Sequence, residues 1–128
     1  MDLLALDTNT ILRFLANDIP SQAKITEKKL EDAKSGKINI YVYQITVVEI
    51  IYHLVNWYKK NKEEACETLI ALFSPDWIQV ENKIAVFQSL RAFKDKNIDF
   101  VDLLLFFNAE SAGRSVFSFD KHFENLRS

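Results

Sequence analysis

The chain's 128 residues, 48% hydrophobic and 27% charged, suit one globular domain with a core of its own. A net charge of −2 makes no case for or against nucleic acid, and the single cysteine, Cys66, excludes an internal disulfide and fits a reducing compartment. No signal peptide is evident and no apolar run approaches the roughly 18 residues of a membrane span, so the expectation is a soluble, cytoplasmic domain over residues 1–128.

LLAL, at 3–6, is a short continuous apolar run and reads as a strand covered on both faces. TILRFLAND follows with Ile11, Leu12, Phe14 and Leu15 at helical spacing. Pro20 suits the first turn of the next helix, SQAKITEKKLEDAKSG, with Ala23, Ile25, Leu30 and Ala33 as its buried positions and Gly36 at its end. INIYVY, at 38–43, is β-branched and aromatic and reads as the second strand. ITVVEIIYHLVNWYKK is ambiguous on propensity; its length and the Thr46–Glu49 spacing of a capping box favour helix. KEEACETLIALF is a helix stopped near Ser74–Pro75, and DWIQVE is a short strand. Ile84, Phe87, Leu90 and Phe93 form a helical stripe in KIAVFQSLRAFKDK. FVDLLLFFNAESAG reads as a buried helix ending at Gly113, and SVFSFD as a last short strand. Strands alternating with helices predict an α/β domain with a largely parallel sheet, helices on both faces, and a ligand site at the carboxyl edge of the strands.

Four acids stand in awkward places. Asp7 falls at the end of the first predicted strand and Asp120 at the end of the last, so a parallel sheet points both into one crevice. Glu49 interrupts VVEII and Asp102 interrupts FVDLLL, and a lone carboxylate in an apolar helix is costly to desolvate unless it is paired or binds a metal. Each has a bland reading: Asp7 as a helix N-cap, Glu49 as half of a capping box, Asp102 as a cap of the following helix, Asp120 as the start of a helical turn. Together they outweigh those readings. Clustered carboxylates repel one another, and a hard divalent cation such as Mg²⁺ or Mn²⁺ relieves that repulsion, prefers oxygen ligands and assists displacement at phosphorus. The chemistry inferred is metal-assisted phosphodiester hydrolysis. A haloacid-dehalogenase-type phosphatase needs an Asp where Asn9 stands, and a receiver domain needs a Lys where Ser118-Phe119-Asp120 stand, so both fall behind. His53 shares a helical face with Glu49 but has no second His nearby, His122 is expected on the surface, and Lys59, Lys60 and Lys62 read as a solvated helix end.

DTNTILRFL with ANDIP, TVVEIIYHL, DFVDLLLFFNAESAG and FSFDKHF, in that order over nearly the whole chain, resemble the PIN-domain ribonucleases, specifically the VapC-type toxins of toxin–antitoxin pairs. The resemblance implies a three-layer α/β/α sandwich around a short, largely parallel sheet. It implies that Asp7, Glu49, Asp102 and Asp120 are the metal-binding and catalytic acids, with Asn9 and Ser118 in supporting positions. It also implies Mg²⁺- or Mn²⁺-dependent cleavage of RNA, a homodimer, and inhibition by a cognate antitoxin protein. Asp99, three residues before Asp102, reads as an outer or N-capping residue. Arg13, about one turn beyond Asn9, reads as a solvated surface residue or, alternatively, as a phosphate contact. The rival reading is a catalytically silent PIN-like module acting through RNA or protein binding, against which four desolvated carboxylates would argue.

Overall fold

The computed structural model describes residues 2–127. Strand β1 (Asp2–Ala5) leads into helix α1 (Thr8–Ala16), then α2 (Pro20–Lys34), β2 (Ile38–Val42), α3 (Gln44–Asn56), α4 (Lys62–Phe73), β3 (Ile78–Val80), α5 (Lys83–Asp95), α6 (Phe100–Ser111) and the short α7 (His122–Leu126). The sheet runs β1-β2-β3 with both pairings parallel, Leu4 beside Ile40 and Val42 beside Val80. Parallel neighbours need a crossover, and the helices between the strands supply it.

The strands alternate. Ile40, Val42, Ile78 and Val80 are buried in one core with Val47, Ile50 and Leu54 of α3, Leu69 and Phe73 of α4, and Leu90 of α5. Residues of opposite parity (Leu3, Tyr41 and Gln79) border an open groove of about 280 Å³ on the other side. The expectation that β1 is covered on both faces is therefore corrected: Leu3 is 76% exposed. The reason lies in the tail. SVFSFD forms no strand, so the described residues carry three strands rather than four, and β1 is an edge with Phe117 and Phe119 exposed in the extended segment.

Two expected helix ends are met for the expected reason. Gly36 and Gly113 have φ of +83° and +72°, and each is followed by the backbone bonds of a Schellman turn: Lys37 N–H to Asp32 O at 2.9 Å, and Arg114 N–H to Ala109 O at 2.8 Å. Pro20 takes the first helical position of α2. The buried stripes, in contrast, are displaced at two places. Ile25 is exposed and Thr26 is buried instead, its hydroxyl donating to Thr10 O at 3.3 Å. Ile84 is also exposed, and α5 buries Ala85, Val86, Ser89 and Leu90.

Helix α3 forms as expected, but not through a capping box. Its N-cap is Tyr43, which places Thr46 and Glu49 inside the helix. The first helical N–H, of Gln44, donates instead to Glu81 Oε1 at 2.9 Å, a carboxylate brought in from the end of β3. Helix α6 is less buried than expected, with Val101 and Leu105 exposed along one side. No helix among the described residues is long and apolar enough to cross a membrane.

Candidate active site

Asp7 is placed by the handover from β1 to α1. The Leu6 N–H still donates to Tyr41 O at 3.0 Å, and Asp7 then takes the N-cap, its Oδ1 accepting from the Thr10 N–H at 2.8 Å. Hydrogen bonds from Thr10, the side chain first and the backbone second, hold the Asp7 carboxyl below its ordinary value against a small opposing effect of burial. Capping and metal binding are compatible roles, because a carboxylate has a second oxygen to offer.

Asp7, Asn9 and Arg13 border a cleft of about 240 Å³ between α1 and α2, with Lys29 on the opposite wall. Arg13 is engaged there: Nη1 lies 3.1 Å from Asp18 Oδ2 and donates to the Tyr58 hydroxyl at 3.2 Å. The cleft thus offers one cation already paired and a second, Lys29, across from it.

The C-terminal half supplies the tightest grouping. Asp102 lies in the first turn of α6, where the helix dipole favours a carboxylate. Asp120 sits in the turn before α7, its N–H donating to Ser118 Oγ at 3.0 Å, so Ser118 shapes the turn that presents the acid. His122 opens α7, its ring 4.5 Å from that of Phe123, which is buried. Arg127 Nη2 donates to Val116 O at 3.1 Å and ties this helix back to the extended segment. One ligand atom each from Asp102, Asp120 and His122 then lie within 4.8 Å of one another. His122 Nε2 is 3.4 Å from Asp102 Oδ2, is buried, and has no hydrogen-bond partner.

Of the four acids expected to converge, Asp102 and Asp120 are in this group; Asp7 and Glu49 stand outside it. The expected desolvation is corrected. Asp7, Glu49 and Asp120 are exposed and Asp102 is one-third exposed, so the proximity of Asp102 and Asp120, rather than burial, is what a cation would relieve. Glu49 lies on the outer side of α3, where its backbone carbonyl accepts from the His53 ring at 2.7 Å. Asp99 occupies the N-cap of α6 as expected, although its side chain makes no capping bond.

Sequence reasoning missed His122, which had been placed on the surface. The signal was its position two residues after Asp120: in a turn entering a helix, an Asp-x-His spacing can bring both side chains to one point. Two carboxylate oxygens and an imidazole nitrogen form a donor set that fits a divalent cation.

The family model described as the PIN domain matches residues 4–128. The chain belongs to the PIN-domain family. Within it, the chain is similar to a VapC ribonuclease of Aquifex aeolicus (strain VF5), 24% identical over 122 residues that cover 94% of this chain and 90% of that protein. No solved structure gives a significant match. The short parallel sheet and its surrounding helices are the α/β sandwich expected of a PIN domain.

Proposed function

We propose that this PIN domain, a single unit over residues 1–128, is a divalent-metal-dependent endoribonuclease and the toxin of a VapBC-type pair. The observation that carries the reading is the approach of Asp102 and Asp120 to within 4.8 Å in a chain of this family. The similarity to a protein named VapC ribonuclease over nearly the full length of both supports RNA as the substrate and an antitoxin protein as a partner.

In this reading Asp102 would hold the principal ion with Asp7 and Glu49, and Asp120 would bind that ion or help a second one. These residues would hold Mg²⁺ or Mn²⁺, which would supply a hydroxide from bound water and offset charge at the phosphate. Asn9 and Ser118 orient a water or a phosphate oxygen, and Asp99 serves as an outer residue beside Asp102. Arg13 and Lys29 line the cleft that starts at Asp7, which supports a phosphate path along α1 and α2. Arg13 would contact RNA from its place beside Asp18. The chain acts in the cytoplasm as a homodimer until the antitoxin covers it.

Single-stranded RNA incubated with the purified protein tests this. Cleavage is expected with Mg²⁺ or Mn²⁺, abolished by EDTA and restored by excess ion. Asp102→Asn should lower the rate about a hundredfold or more with an unchanged circular dichroism spectrum, because it removes a ligand charge at constant size. Cleavage that survives chelation would overturn the metal mechanism. RNA binding without cleavage under every condition would instead establish the silent module.

A further inference from the structure

The proposed mechanism uses neither histidine, yet the Nε2 of His122 is buried, lacks a hydrogen-bond partner and sits 3.4 Å from Asp102 Oδ2. We propose that His122 Nε2 is a nitrogen ligand of the ion held by Asp102 and Asp120, and that it biases this PIN site away from Mg²⁺ towards Mn²⁺ and later first-row metals. The inference rests on the metal-dependent reading above and adds to it which residue completes the site and which ions it prefers.

Three features support the assignment. Ligands at about 2.1 Å around an octahedral ion stand about 3 Å apart on adjacent vertices and about 4.2 Å apart on opposite ones. Ligand atoms of Asp102, Asp120 and His122 lie within 4.8 Å of one another, so side-chain rotations alone bring them to one centre. An imidazole nitrogen withheld from water without a partner is unfavourable, and coordination satisfies it where a hydrogen bond does not. The ring is also held in place: it lies on Phe123, which is buried, and the end of α7 is bound to Val116 O through Arg127. Mg²⁺ strongly favours oxygen ligands, whereas an imidazole suits transition metals better, so a nitrogen here shifts preference between ions rather than adding equally to all.

Mn²⁺ is the probe, and electron paramagnetic resonance is the readout. The sequence contains only two histidines, His53 and His122, and the His53 ring bonds to the Glu49 carbonyl at 2.7 Å. Pulsed measurements on the Mn²⁺-loaded full chain should show ¹⁴N modulation in the wild type and in His53→Ala, and none in His122→Ala. Calorimetric titration should give about tenfold weaker Mn²⁺ binding to His122→Ala with little change for Mg²⁺. His122→Asn, closer in size, guards against a packing defect and should lose the ¹⁴N signal as well. Bound Mn²⁺ without nitrogen modulation in the wild type, or modulation that persists in His122→Ala, would overturn the His122 assignment and leave the metal-dependent nuclease standing. Absence of Mn²⁺ binding at millimolar concentration would overturn both.

Discussion

Asp7 holds two jobs whose physical requirements differ, and that difference makes them separable. The cap needs an oxygen that accepts from the Thr10 N–H at 2.8 Å, and an amide oxygen serves as well as a carboxylate. The proposed ligand role needs the negative charge. Asp7→Asn should therefore keep thermal stability nearly unchanged while RNA cleavage falls about a hundredfold or more. Asp7→Ala should lose cleavage and also about 1 kcal/mol of unfolding free energy at neutral pH, measured by urea denaturation. The pH dependence has a definite sign. Because the Thr10 bonds lower the folded-state value, the stabilisation from the ionised carboxylate is present above the unfolded value of about 3.9 and is lost as pH falls through the lower folded one. The gap between wild type and Asp7→Ala should narrow between pH 7 and pH 3, whereas a gap that widened on acidification would contradict the hydrogen-bonded cap.

At the scale of elements, the starts of α3 and α5, just beyond β2 and β3, meet α6 through a patch of amides. Gln44 Nε2 donates to Asn108 Oδ1 at 2.9 Å, Asn108 Nδ2 returns a bond to Gln44 Oε1 at 2.7 Å, and Asn82 Nδ2 reaches the same Asn108 Oδ1 at 2.8 Å. This pins the carboxyl edge of the sheet to α6, the helix that carries Asp102. Asn108→Leu should cost about 1–3 kcal/mol in urea denaturation, since it strips partly buried partners from two side chains. Gln44→Leu combined with it should cost less than the sum of the single changes; strict additivity would show that the patch does not act as a unit. None of this was legible in the sequence, because Gln44, Asn82 and Asn108 are ordinary surface-type residues until the fold joins them. What could be read was local. Glycine at helix ends and proline at a helix start fix backbone angles by themselves, so Gly36, Gly113 and Pro20 were placed correctly. The start of α3 misled because its N–H partner, Glu81, is 37 residues away and no local spacing reveals it. SVFSFD misled in the opposite sense: alternation is a statement about propensity, and a strand exists only where a neighbour pairs with it. Asp120 closes that segment and His122 follows it by two residues, so the error about the strand carried into the site.

For the whole molecule, the exposed apolar side chains form a pattern that the monomer's own core does not use. Ile45, Val48 and Tyr52 recur on one side of α3, and Val101 and Leu105 on one side of α6. The two helices meet there: Val48, Tyr52 and Val101 border a single groove of about 130 Å³. Ile45, Tyr52, Val101 and Leu105 are each at least half exposed, which gives the proposed homodimer a candidate apolar face. The proposed homodimer would bury this face, and a twofold axis through it would place each copy's α6, and with it Asp102, near the seam. Charge placed on the face should then separate the copies without unfolding them. Tyr52→Glu with Leu105→Glu is expected to convert a dimer to a monomer in sedimentation equilibrium, with the far-ultraviolet circular dichroism retained because neither side chain belongs to the buried core. A dimer that persists in the double variant would assign the contact to another surface, of which the open edge of β1 with Leu3 is the next to test.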